Sequence, residues 1–230
     1  MIDDGSTDNT KEVIDKFEDD RIQYIKLDKN YGGSFARNIG IKKASGQFIS
    51  FQDSDDIFLP NKIEMQLKNI INKKSDFDFC KIKVFLNSTF NYLVPNILQE
   101  KRILEGNIIN ELISNGNFIS TQAILIKKKF MQEHLFDPLM PRLQDFDIIL
   151  SMIPKVRISY TKNVLVELHI QKNSLTLSKE KLRKAIYILL NKKYNFNAEQ
   201  KAIFTKYLNN ISITFFKKSS IKKNKYKRRA

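Results

Sequence analysis

Three carboxylates stand within four residues at Asp53-Ser54-Asp55-Asp56, directly after the apolar run that ends in Phe51. An unpaired carboxylate is unfavourable in a core, so the cluster must face solvent, cations or a ligand. Hard oxygen donors suit magnesium or manganese, which take one or two protein carboxylates and fill their shells with phosphate oxygens and water. A solvated loop with helix-capping acids accounts for the same residues. A calcium loop fits less well, because Asp53 to Glu64 lacks glycine at its sixth position. A second acidic pair, Asp145 and Asp147, lies within Leu143 to Ile148 at the start of a helical pattern, where acids also serve as caps. The two histidines are His134 and His169.

From residue 3 to 73, segments of helical and strand periodicity alternate, which is the pattern of a layered α/β domain. Asp8 or Asn9 can cap a helix with Val13, Ile14 and Phe17 on its apolar face, and Ile22 to Leu27 reads as a strand. After the turn Asn30-Tyr31-Gly32-Gly33 a helix carries Phe35, Ala36 and Ile39 and ends at Gly46. The strand Gln47 to Phe51 then delivers the acids at its carboxyl end, the edge where open α/β sheets bind ligands. Pro60 starts a helix with Ile63, Leu67, Ile70 and Ile71 on one face. Strands are expected at 77–86, 119–126, 156–160 and 164–169, and helices at 104–113, 144–152, 179–191 and 197–208.

The chain has 230 residues, 42% hydrophobic and 28% charged, an ordinary globular composition that excludes a disordered chain. Cys80 is the only cysteine, so no internal disulfide can form, and a core position in a reducing compartment is expected. No stretch approaches a membrane-spanning run, and the first residues are acidic rather than signal-like. The net charge of +15 is concentrated at one end: Lys217, Lys218, Lys222, Lys223, Lys225, Lys227, Arg228 and Arg229 form an acid-free tail.

Taken in order, Ile2-Asp3-Asp4-Gly5-Ser6-Thr7-Asp8, Asn30-Tyr31-Gly32-Gly33, Ala36-Arg37-Asn38-Ile39-Gly40, Ala44-Ser45-Gly46 and Phe51-Gln52-Asp53-Ser54-Asp55-Asp56 resemble glycosyltransferase family 2 and its GT-A fold. The resemblance is close to about residue 75, weaker at Phe136-Asp137 through Asp147 and at His169 to Ser174, and absent in the tail. It implies an α/β fold with a mixed, mainly parallel sheet flanked by helices. Residues 1–175 would form the GT-A-like domain, 176–216 a helical C-terminal segment and 217–230 a basic tail. It also implies donor contacts from Asp3, Asp4, Arg37 and Asp53, with Asp4 on the nucleobase, Arg37 beside the nucleotide and Asp53 at the ribose. Asp55 would bind a divalent metal, magnesium or manganese, and His169 would approach the metal or diphosphate. Asp145 would be the general base that deprotonates the acceptor. Gln144 departs from the family, which more often has Glu there. Members also begin with a strand ending in a Pro-Thr-Tyr-Asn-like loop and a helix, so a segment upstream of Met1 is expected.

The implied function is inverting transfer of a sugar from a nucleotide-diphosphate donor to a hydroxyl on a glycan or lipid-linked acceptor, in polysaccharide or glycolipid synthesis. The expected location is cytoplasmic, with the basic tail drawn to an anionic inner leaflet. No specific nucleic-acid partner is expected, since the tail lacks interleaved aromatics. Two alternatives remain open. One is a truncated, inactive relative that binds membrane or nucleic acid through its tail. The other is a D-x-D phosphohydrolase, in which a small hydroxyl residue would more often stand where this chain has Ile57.

Overall fold

The computed structural model describes residues 1–170 and 178–227, with side chains at all of these except 154 and 214–227. Strands β1 (Ile2–Asp3) and β2 (Ile25–Lys26) pair in parallel as a small separate sheet. The larger sheet has six strands in the order β3 (Phe48–Ser50), β7 (Ile124–Lys127), β5 (Phe77–Leu86), β8 (Ile158–Ile170) and β4 (Ile57–Phe58), with β6 (Thr89–Val94) also paired to β5. Strands β5 and β8 run parallel from Phe77 opposite Ile158 to Leu86 opposite Ile170. Its other pairings, β3–β7, β5–β7, β5–β6 and β4–β8, are antiparallel. The sheet is thus mixed as expected, but antiparallel pairings outnumber parallel ones. One reason is local: Asn87 and Ser88 both adopt positive φ, 48° and 65°. Two such residues close a tight hairpin, which can join only antiparallel strands.

The helices are α1 (Thr10–Ile14), α2 (Gly33–Lys43), α3 (Lys62–Lys73), α4 (Ile97–Leu104), α5 (Ile108–Asn115), α6 (Lys128–Glu133), α7 (Gln144–Met152), α8 (Lys179–Asn191) and α9 (Ala198–Lys227). Several sequence expectations change, among them the strand expected over 119–126, which is a 3-10 turn at Thr121–Ala123 followed by β7. Helix α1 buries nothing, and Val13 and Phe17 are 41% and 61% exposed. The helix expected over 104–113 is two, broken at Gly106 with φ 87°. The two late strands are one, β8, whose extra residues are absorbed by register shifts around Lys81. Helix α9 continues past residue 217 to Lys227.

Helix α3 buries Lys62, Gln66 and Ile70 rather than an all-apolar stripe, leaving Ile63 and Ile71 exposed. The face it covers is polar. Asp78, fully buried on β5, accepts hydrogen bonds from Gln66, Asn69, Ser159 and Thr161, and Lys62 Nζ donates to Gln66 Oε1 at 2.7 Å and Ser50 Oγ at 3.0 Å. Buried polar groups are tolerable when so partnered. One apolar core joins Ile41 of α2, Phe77, Phe79 and Ile82 of β5, and Phe146 and Ile149 of α7 to Leu182, Ile186 and Leu189 of α8 and Phe204 and Leu208 of α9.

Candidate active site

Arg37 projects from α2 past Gly33, where a Cβ would lie 3.1 Å from its Nη1 and crowd the guanidinium. Its Nη2 donates to both oxygens of Asp53, at 2.8 and 2.9 Å, and its Nη1 to Gln144 Oε1 at 3.1 Å. Gln122, in the 3-10 turn before β7, donates to Asp53 Oδ2 at 2.7 Å. The guanidinium also sits 5.6 Å over the Phe136 ring, whose backbone Asn38 grips through two hydrogen bonds of 2.8 and 2.9 Å. Segments far apart in sequence therefore meet around one ion pair. They border a cleft of about 590 Å³ lined by Arg37, Asp53, Asp55 and Asp145, with Asn117, Gln122, Arg142 and Gln144 adding polar groups and Ile82, Val84, Leu168 and Ile170 an aliphatic wall.

Asp145 is the second residue of α7. Burial raises its pKa above the ordinary aspartate value, opposed by the Phe146 N–H at 2.8 Å, the charge of Arg37 and a hydrogen bond with Asn117. A carboxylate so placed is a stronger base than one in water, and it faces the same space as Asp55. Asp56, by contrast, is 7% exposed and turned inward: its Oδ1 accepts the His169 N–H at 2.9 Å, and burial raises its pKa to about 6.

The remaining expected residues lie elsewhere. Asp3 is buried and accepts hydrogen bonds from the Ser6 N–H at 2.7 Å and the Tyr24 hydroxyl, the latter being the main cause of its lowered pKa. Asp4 accepts the N–H groups of Tyr31 at 2.8 Å and Gly32 at 2.7 Å. Both shape the loop that leads into α2, and neither lines the cleft. The His169 ring stacks on Phe85 at 4.8 Å and does not line the cleft either, and its buried Nε2 has no hydrogen-bond partner among the described residues. Ser174 lies outside the described residues. Sequence reasoning missed Asn117, Gln122 and Arg142. Asn117 and Gln122 sit among other polar residues, Ser114, Asn115, Ser120 and Thr121, so no local signal set them apart.

Among the described residues no three His, Cys, Asp or Glu side chains converge as a metal cage. Both Asp53 oxygens are engaged by Arg37 and Gln122, while Asp55 faces the cleft with no hydrogen-bond partner among the described residues. That arrangement suits a divalent cation held mainly by phosphate and water, which needs only one or two protein carboxylates. The donor set fits such an ion at Asp55.

Comparison with known proteins bears on the family and the fold. The chain is 33% identical over 108 residues to the Escherichia coli UDP-Glc:alpha-D-GlcNAc-diphosphoundecaprenol beta-1,3-glucosyltransferase WfgD, which covers 46% of this chain and 43% of the relative. It is 30% identical over 142 residues to the glycosyltransferase GlyG of Streptococcus pneumoniae, covering 60% of this chain and 47% of that protein. The chain therefore spans less than half the length of either relative. The crystal structure of S. aureus TarS 1–349 in complex with UDP-GlcNAc superposes with a TM-score of 0.68 at 21% identity, over 90% of this chain and 61% of that one, which establishes the shared GT-A-like fold. Residues 1–135 match the sequence profile of Glycosyl transferase family 2, and the chain belongs to that family.

Proposed function

We propose that the protein transfers a sugar, with inversion, from a nucleotide-diphosphate donor to a hydroxyl acceptor in cell-surface polysaccharide or glycolipid synthesis. The observation carrying this reading is that Asp55 and Asp145, 90 positions apart in sequence, line one cleft with Arg37 and Asp53. Asp145 accepts the proton of the attacking hydroxyl. Arg37, fixed by Asp53, presents a cation beside the donor's charge. Asp55 holds the divalent metal, which when bound stabilises negative charge on the departing diphosphate. Gln144 keeps Arg37 engaged through a neutral carbonyl, so the family's usual Glu is not needed to orient it. Membrane proximity is part of the proposal. It is supported by the basic residues gathered beyond residue 216 and by the lipid diphosphate acceptor in the name of the E. coli relative.

The test is calorimetry of UDP with and without manganese, alongside release of UDP from UDP-glucose or UDP-N-acetylglucosamine. Asp145→Asn should lower turnover by about 10²–10⁴-fold, the usual contribution of a general base, and leave UDP affinity unchanged. Asp55→Asn should remove the manganese dependence of binding. Wild-type protein whose UDP binding ignores manganese would sink the metal role, and an active Asp145→Asn variant the catalytic one.

A further inference from the structure

The cleft-lining residues Pro141, Arg142, Leu143, Gln144 and Asp145 are consecutive, and the residues flanking that run, Asp137 and Asp147, are gripped from the loop between α8 and α9. Asp145 and Asp147 point about 200° apart on α7, at 100° per residue, so one meets the cleft and the other the interior. Asp147 is 2% exposed. Its Oδ2 accepts Lys192 Nζ at 2.6 Å and its Oδ1 the Tyr194 hydroxyl at 2.5 Å. The same Lys192 ammonium reaches Asp137 Oδ2 at 3.0 Å, on the upstream side of the run. Arg142, inside it, donates to the Ser178 carbonyl at 3.2 Å. Phe204 of α9 packs edge-on against both Phe146, at 5.9 Å, and Tyr194, at 5.8 Å. Leu143, directly before α7, is held at φ 61°, a strained backbone for a branched side chain that persists only where the surroundings enforce it.

We propose that Lys192 and Tyr194 are positioning residues, which through Asp137 and Asp147 fix the 137–147 segment and so set Asp145 in the cleft. This rests on the reading of Asp145 as the base. The contacts that fix this segment come from beyond residue 177, from Ser178 at the head of α8 and from Lys192 and Tyr194 in the loop between α8 and α9, and these helices pack into the same core as Ile49 of β3, the strand before the acidic motif. The charged groups that share the cleft with Asp145 are Arg37, Arg142, Asp53 and Asp55.

Removing Lys192 alone leaves Asp147 buried and unpaired and can unfold the protein, so the informative variants are Tyr194→Phe and the neutral pair Asp147→Asn with Lys192→Met. UDP release from UDP-glucose is followed against pH, well below each variant's melting temperature, with UDP calorimetry alongside. The expected result is a kcat lower by about ten- to a hundredfold in the double variant and several-fold in Tyr194→Phe, as for a displaced catalytic group. KM and UDP affinity should hold within twofold, and the acid limb of the pH profile should move to lower pH as water reaches Asp145. A contact that only stabilises the fold would lower the melting temperature and leave kcat and the acid limb in place, and that result overturns the proposal. Asp145→Asn is measured in parallel. If it retains turnover, the base assignment and this inference fall together, whereas if it is inactive while both clamp variants match wild type, only this inference falls.

Discussion

Neighbouring acids in one motif have different environments, and for Asp53 and Asp56 a partner elsewhere in the sequence sets it. Asp53 is ion-paired with Arg37 and hydrogen-bonded by Gln122, Asp55 faces the open cleft, and Asp56 is buried against the His169 N–H. Because burial lifts the Asp56 pKa to about 6, the folded state retains a proton that the unfolded chain loses near pH 4. Ionisation of Asp56 therefore lowers metal-free stability as pH rises from about 4 to 6. Asp56→Asn keeps an acceptor for the His169 N–H and has no charge to bury. Thermal melts without metal should show the variant above wild type at pH 7.5, the gap closing near pH 4; an equal gap at both pH values would contradict the assignment.

Elements reach the site through close contacts that tolerate little added volume. Helix α5 stops at Gly116, whose φ is 90° and whose Cβ, if present, would lie 1.9 Å from the Tyr207 hydroxyl of α9. The next residues, Asn117 and Phe118, line the cleft beside Asp145. Gly116→Ala should cost about 2 kcal/mol or more from positive φ and overpacking together. At about 2–4 °C per kcal/mol for a chain of this size, the melting temperature should fall by at least several degrees. Adding Tyr207→Ala should not restore it fully, since the backbone strain remains. Helix α3 shows why element-scale patterns mislead: its apolar residues predict one buried face, yet the sheet it covers presents Asp78, Ser159 and Thr161, so Lys62 and Gln66 turn inward instead.

At the scale of the molecule, the C-terminal helices are part of the core. Leu182, Ile186, Leu189, Phe204 and Leu208 are nearly or fully buried in the cluster that holds β5 and α7. Each is worth roughly 1.5–3 kcal/mol of burial, and their sum rivals the net stability of a whole domain. The intact protein should melt in one cooperative transition, and a chain ending at residue 175 should lack one; calorimetry that finds two separate transitions would refute a shared core. No helix among the described residues is long and apolar enough to cross a membrane. Binding to anionic liposomes, if driven by the basic end, should be lost on deleting 217–230 and weaken from 50 mM to about 500 mM salt as charges are screened.

By itself the sequence determined the family, the layered α/β class, the strand 77–86, helices 144–152 and 179–191, and the acids at 53 to 56, because motif spacing and hydrophobic period are properties of short segments. Local pattern also placed Asp145 at a helix start. Only the tertiary structure decided which acids share a space, since Gln122, Asn117 and Lys192 act across dozens of residues with no motif to announce them. It also decided that Asp3, Asp4 and His169 are not among the residues lining that cleft, and that antiparallel pairs dominate the larger sheet. Strand direction and side-chain burial depend on what each element packs against, and a linear pattern does not carry that information.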